Sequence, residues 1–295
     1  MTTTTLAVIG GSGLYALDGL DVTATHEVET PWGAPSGPIT EGVMDGVRVL
    51  FLSRHGQGHR IPPSAVPYRA NIDALKRLGA TDLLSVSSCG SFREAMAPGH
   101  FVVVDQFVDR TKGRPASFFG EGLVAHVSMA QPVCPGLSQR LGDACEAAGV
   151  TTHRGGTYLA MEGPQFGTLA ESELYRAWGL DVVGMTAMPE AKLAREAELP
   201  YALCAMITDY DCWHEPSGAV DVASVIAVMG RNGEAARAML AAFIPTVGPD
   251  RTPSPLGIET CLDTAIITAP DARDAGLVAK LSAVAGRALG RPPGQ

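Results

Sequence analysis

Asp209 and Asp211 close an apolar run, Ala205-Met206-Ile207-Thr208, and aromatics follow them: Tyr210 between the acids and Trp213 just beyond. Residues i and i+2 of an extended chain point to one face, so an extended chain here would put two carboxylates in one pocket. Desolvating a carboxylate without a partner is costly. Two solvated acids in a loop are the ordinary alternative. A pocket that grips a ligand through its N–H groups is the chemical one. Arg54-His55-Gly56-Gln57-Gly58-His59-Arg60 packs two arginines and two histidines into seven residues, and Arg is the preferred bidentate partner of phosphate. Gly10-Gly11-Ser12-Gly13 offers a nest of backbone N–H groups and one hydroxyl, which also suits a phosphate. It is neither Gly-x-Gly-x-x-Gly nor a Walker loop, so a dinucleotide or ATP site fits poorly.

Ser85-Val86-Ser87-Ser88-Cys89-Gly90-Ser91 turns rich in hydroxyls at its end, a place for an oxyanion or a sugar. No Gly-x-Ser-x-Gly elbow is present, which disfavours a hydrolase triad. Met161-Glu162-Gly163-Pro164-Gln165-Phe166 and Gly184-Met185-Thr186 bring a thioether, a hydroxyl and an aromatic ring that suit the faces of a flat ring or sugar. His100, His153 and His214 have no partner legible in the sequence and read as structural or surface residues.

These groups need a scaffold, and the 295 residues supply a regular one. Short apolar runs predict strands at Leu6–Ile9, Val47–Ser53, Asp82–Ser88, His100–Val108, Gly156–Met161, Val182–Met185 and Tyr201–Thr208. Helices are expected over Ser64–Leu78 with Ser64 as N-cap, Leu137–Ala148, Leu169–Trp178, Pro189–Ala197, Val220–Phe243 and Ala272–Leu289. The alternation predicts an α/β fold, a single domain over residues 1–295 with a parallel or mixed sheet. Nearly every polar or glycine-rich cluster falls at the C-terminal end of a strand, the edge where open α/β sheets bind ligands.

Composition narrows the function classes. The net charge of −9 argues against a nucleic-acid surface and an anionic membrane. No apolar run approaches transmembrane length. The six cysteines are scattered, without metal-type spacing, and no basic, apolar leader opens the chain. A cytoplasmic protein with reduced thiols and no metal is expected.

The clusters in this order resemble one family. Ile9-Gly10-Gly11-Ser12-Gly13-Leu14, Thr30-Pro31-Trp32-Gly33, Arg54-His55-Gly56, Cys89-Gly90-Ser91, Asp105-Gln106-Phe107, Glu162-Gly163-Pro164, Met185-Thr186 and Thr208-Asp209-Tyr210-Asp211-Cys212-Trp213 look like the S-methyl-5′-thioadenosine phosphorylases, of the trimeric purine nucleoside phosphorylase family. The likeness runs from about residue 5 to about residue 248. It implies a central mixed β-sheet flanked by helices, no cofactor, and inorganic phosphate as co-substrate. The implied reaction is phosphorolysis of 5′-methylthioadenosine, or a related 5′-modified adenosine, to adenine and 5-methylthioribose 1-phosphate. A 6-oxopurine nucleoside phosphorylase is the alternative within the fold, and a non-catalytic nucleotide-binding protein the alternative outside it.

By the same resemblance, Ser12, Arg54, His55 and Ser88 would bind phosphate, with Ser87 beside them. Hydrogen bonds to charged groups contribute roughly 1.5–3 kcal/mol each, enough for three or four to hold the anion. Met185 would pack on the ribose and Phe166 on the base, with Thr186 and Ser87 near the sugar and base. Asp209 would serve the purine at N7 and Asp211 its amino group. A carboxylate rather than an amide at 209 suits a 6-amino ring. Val222 and Val225 would line the 5′ pocket, and His126 would reach across from the next subunit of a homotrimer. Three positions depart from the family pattern: Gln165, Ser88 and Gly184 stand where Arg, Ala and Asn are common.

Overall fold

The structure is a computed structural model. It describes residues 3–11, 14, 17–214 and 222–290, with side chains from residue 226 onward in the last stretch. Its strands are β1 Thr5–Gly10, β2 Asp21–His26, β3 Ile39–Met44, β4 Val47–Ser53, β5 Asp82–Ser91, β6 Phe101–Val104, β7 Gln106–Asp109, β8 Thr152–Arg154, β9 Thr157–Ala160, β10 Val182–Gly184 and β11 Tyr201–Asp209. Its helices are α1 Tyr68–Arg77, α2 Pro135–Ala147, α3 Leu169–Ala177, α4 Ala187–Glu196, α5 Val222–Val247 and α6 Ala275–Lys280.

All the strands join one mixed sheet. Its centre is the parallel set β4-β1-β5-β11. Antiparallel β3 and β2 extend it beyond β4. On the other side the sheet forks: β10 takes the late part of β5 antiparallel, while β6 pairs β11. Alternation along the central strands sorts the core into two layers. Ile9, Leu52, Leu83 and Leu203 face α1, α4 and the C-terminal segment. Val8, Phe51, Leu84 and Cys204 face α2 and α5. Burial on both faces is why these strands read as unbroken apolar runs.

The structure corrects several expected spans. Ser64 is not a helix N-cap. Pro63–Ala65 form a 3₁₀ turn, Val66 is extended ahead of Pro67, and α1 begins only at Tyr68. The Ser64 hydroxyl bonds Glu162 instead. His100–Val108 is two strands, because β6 pairs β8 while β7 pairs β9. The C-terminal helix is short: α6 is capped by Asp274, whose carboxylate accepts the Leu277 N–H, and turns follow Lys280. β2 carries no strand signal in the sequence because it is an exposed outer strand without an apolar run. β5 runs on through Cys89, Gly90 and Ser91, held there by β11 and β10. That extension carries the hydroxyl-rich segment past the end of β1.

Candidate active site

A cavity of about 400 Å³ opens at the edge where β1, β4 and β11 end and β5 runs on. It gathers Arg54, His55, Ser87, Ser88, Phe166, Met185, Thr186, Asp209 and Asp211 from five separate stretches of chain. Ser12 lies outside the described residues. Val222 and Val225 begin α5, and their side chains lie outside the described residues; Met229 and Gly233 of the same helix line the cavity. His126 lies apart from this cavity, exposed on a loop whose N–H bonds the Ala265 carbonyl at 2.9 Å.

The two acids share the cavity, but not by the extended geometry expected of them. β11 ends at Asp209, and Asp211 sits in a turn with φ 54°, folded back over its neighbour. The Asp211 N–H donates to Asp209 Oδ1 at 2.8 Å. Thr208 Oγ1 lies 2.7 Å from Asp209 Oδ2 and 3.1 Å from the Cys89 carbonyl. A hydroxyl has one proton to give. Both contacts are satisfied together only when Asp209 carries a proton, donates it to Thr208, and Thr208 donates to Cys89. Burial raises the Asp209 carboxyl above the usual range, against the bonds from Thr208 and Asp211. Burial also raises Asp211, with the Asp209 charge adding to it. Gly90, opposite Asp209 in the β5–β11 register, makes room: a Cβ there would stand 2.8 Å from Asp209 Oδ1. The aromatics brace the turn. Trp213 Nε1–H bonds the Ser91 carbonyl at 2.7 Å, and the Tyr210 hydroxyl bonds that of Glu94 at 3.1 Å.

At the other end, Arg54 and Glu190 form an ion pair with side chains only 2% and 1% exposed. Arg54 meets Glu190 through Nε at 2.8 Å and Nη2 at 3.1 Å. Its Nη2 also reaches Ser85 Oγ, and Nη1 the Val86 carbonyl. The bidentate fork expected to face phosphate is therefore taken by Glu190, which sits on α4 and had no signal in the sequence. Among the described residues one Nη1 hydrogen has no acceptor, and it is what Arg54 has left for an anion.

His55 Nδ1 lies 2.8 Å from the Ile61 carbonyl. A carbonyl only accepts, so Nδ1 holds the proton and Nε2 is the acceptor in the neutral ring. Burial pushes His55 down to about 4, helped by the charges of Arg54 and His59, while the Ile61 carbonyl opposes it. His59 stacks on His55 with centroids 4.2 Å apart and lines the cavity beside Pro63. Its place in the Arg54–Arg60 cluster is the one sequence signal for it. Ser87 Oγ and Thr186 Oγ1 lie 3.3 Å apart on the same wall.

Arg114 fixes the wall between the two ends. It donates to the carbonyls of Glu162, Met185 and Met188 and to the Glu162 carboxylate. It thereby ties the segment bearing Phe166 to the segment bearing Met185 and Thr186. Phe166 is 47% exposed, so the cavity is open on that flank. Away from the site, His100 and His153, unpartnered in the sequence reading, meet each other at 3.0 Å.

Comparison with known proteins assigns this architecture. The family profile of the phosphorylase superfamily matches residues 5–245. The S-methyl-5′-thioadenosine phosphorylase of Cereibacter sphaeroides is 59% identical over 286 residues, covering 97% of this chain and 99% of that protein. The chain belongs to the S-methyl-5′-thioadenosine phosphorylase family of that superfamily. The family member of Bradyrhizobium diazoefficiens is 55% identical over 289 residues, 98% of this chain and 99% of that one. Among solved structures of the family, the methylthioadenosine phosphorylase from an antarctic soil metagenomic library has a TM-score of 0.90 at 44% identity, covering 96% of this chain and 99% of that one. The Schistosoma mansoni enzyme in complex with adenine has a TM-score of 0.80 at 37% identity, covering 84% and 93%. Family likeness therefore extends beyond residue 248, where the motifs alone ended.

Proposed function

We propose that this protein catalyses phosphorolysis of 5′-methylthioadenosine to adenine and 5-methylthioribose 1-phosphate. One observation carries the reading: a single cavity has protonatable carboxyls at one end and a neutralised arginine, a histidine and hydroxyls at the other. A phosphate oxygen attacks C1′ of the ribose while the C1′–N9 bond breaks, and its electron pair goes to the purine. Protonated Asp209 turns its proton from Thr208 to N7 and gives it up there, the Thr208 hydroxyl then donating to the carboxylate, and Asp211 accepts from the 6-amino group. General acid catalysis of this kind contributes on the order of 10²–10⁴ in rate. Arg54 Nη1, Ser12, Ser87 and Ser88 donate to the phosphate, His55 Nε2 accepts from its hydroxyl and Thr186 lies beside the sugar; the anion's charge stabilises the cationic sugar forming above it. Met185 packs on the ribose and Phe166 on the base.

The exposed Phe166 flank and the exposed His126 loop support a homotrimer, in which His126 of one subunit joins Val222 and Val225 of the next at the 5′ group. The whole chain acts as one domain: Leu262, Val278 and Leu281 of the C-terminal segment join the buried cluster of Leu50 and Leu203. No helix among the described residues is long and apolar enough to cross a membrane. With all six cysteines free thiols, a cytoplasmic enzyme is the fitting setting.

The test is product analysis on 5′-methylthioadenosine with and without phosphate. Adenine release should require phosphate and be matched by methylthioribose 1-phosphate. Equal release in its absence would mean hydrolysis and overturn the reading.

A further inference from the structure

Beneath the cavity wall lies a polar atom that the site does not use. Tyr158 on β9 is fully buried, and its hydroxyl has no hydrogen-bond partner among the described residues. Its ring packs edge-on against Phe107, with centroids 6.0 Å apart. The hydroxyl lies beside the Ser87 side chain and the Thr186 N–H without closing a bond of ordinary geometry to either. Buried polar groups in native proteins are paired as a rule, so a hydroxyl left over here points to a state that satisfies it.

Gly184 explains how a phenol came to stand there. A Cβ at 184 would sit 1.8 Å from the Tyr158 hydroxyl oxygen and 2.5 Å from Cζ. The end of the Tyr158 ring fills the volume that a side chain at 184 would take. Gly184 itself lines the cavity. The phenol is thus seated directly under the cavity wall, behind bare backbone.

The neighbouring hydroxyl is also loosely held. Ser87 Oγ is 3.3 Å from Thr186 Oγ1 and 3.3 Å from the Ser88 carbonyl. Both are long for O–H···O bonds. A hydroxyl with two weak contacts turns readily toward a stronger acceptor, and a phosphate oxygen is one.

We infer that Tyr158 is a positioning residue for the phosphate, acting through Ser87. When the anion binds, Ser87 turns its O–H to a phosphate oxygen, and the Tyr158 O–H donates to the Ser87 oxygen. The Thr186 N–H donates in turn to Tyr158. The chain Thr186 N–H to Tyr158 to Ser87 to phosphate runs in one direction, so each bond polarises the next. Burial pushes the Tyr158 phenol up to about 12, which keeps it a donor at neutral pH. This inference rests on the reading of Ser87 as a phosphate ligand.

The test is a double-mutant cycle of Tyr158→Phe and Ser87→Ala, measuring kcat and KM for phosphate and for 5′-methylthioadenosine separately, with thermal unfolding of each variant. Tyr158→Phe keeps the ring and removes one oxygen. It should raise the phosphate KM about 5- to 10-fold, leave kcat and the nucleoside KM within about twofold, and not lower the melting temperature. Ser87→Ala should raise the phosphate KM at least as much, and the double variant no further than Ser87→Ala alone. If Ser87→Ala raises the phosphate KM and Tyr158→Phe does not, or if the two effects multiply, the relay is wrong and Ser87 acts alone. If Ser87→Ala itself leaves the phosphate KM unchanged, the phosphate-site reading fails, and the relay with it.

Discussion

The backbone N–H of Asp211 donates to Asp209 Oδ1 across 2.8 Å, and a left-handed turn at Asp211, φ 54°, sets it there. The second acid is folded back to support the first. Asp209→Asn preserves the shape and removes the acidic proton. Its kcat on 5′-methylthioadenosine should fall about 10²–10⁴-fold. Preference should move toward 6-oxopurines, which offer an acceptor where adenine offers a donor. Parallel kcat/KM measurements with 5′-methylthioadenosine and 5′-methylthioinosine check both; an unchanged ratio would count against base recognition by Asp209.

The same acid gives a pH signature. Burial raises the Asp209 carboxyl, and the proposed proton transfer to N7 makes its protonated form the active one. The turnover rate should therefore fall as pH rises through that raised value, and this limb should vanish in Asp209→Asn. Profiles of log kcat against pH for the two proteins, in saturating phosphate, decide it.

His55 makes stability depend on pH with the opposite sense. Its folded value is about 4 against an ordinary 6.5, so between these limits the unfolded chain binds a proton that the folded chain refuses. Stability is then complete above about 6.5 and falls as pH drops toward 4. Urea midpoints across this window should decline more steeply for the native protein than for His55→Gln. Parallel slopes would mean that His55 is not the group responsible.

Arg54 and Glu190 separate scaffold from ligand binding. Glu190→Gln leaves a buried guanidinium without its counter-charge and should cost about 3–5 kcal/mol in urea unfolding. Replacing the pair by Arg54→Met with Glu190→Leu should recover most of that stability. The phosphate KM should nevertheless remain raised, because the Nη1 donor is gone. A double variant with native phosphate KM would remove Arg54 from the anion site.

Gly90→Ala tests the clearance under Asp209. The added methyl would stand 2.8 Å from Oδ1 and must displace the carboxyl. We expect kcat to fall at least about tenfold, since catalytic geometry tolerates little displacement. The phosphate KM should stay near native, because the anion end lies across the cavity. Native turnover would show that the carboxyl position is not critical.

Much of the frame was legible in the amino-acid order. β4 was read at both ends, Val47 and Ser53, because an apolar run stops at a charged, glycine-rich cluster. The sequence pattern points to Ser64 as the start of α1, whereas Pro67 sets it. Most site residues were legible as types because they stand at or just past a strand end, several of them near a glycine, while Ser87 and Ser88 stand where β5 outruns β1. Their partners were not. Glu190 lies 136 residues from Arg54 and Ser85 lies 105 from Glu190, and nothing local in any of them announces the others.

Local chemistry alone thus determined the central strands β1, β4, β5 and β11, their unbroken apolar runs, and which polar groups stand toward their C-terminal ends. Those depend on neighbours in sequence, through side-chain alternation and turn residues. Only the packed sheet decided that Glu190 takes the arginine fork, that Asp211 folds back on Asp209, and that the Tyr158 phenol fills the space over Gly184. Those are contacts between distant segments. Their register follows from how β5, β9, β10 and β11 pair and how α4 lies across them, and no stretch of chain contains that information by itself.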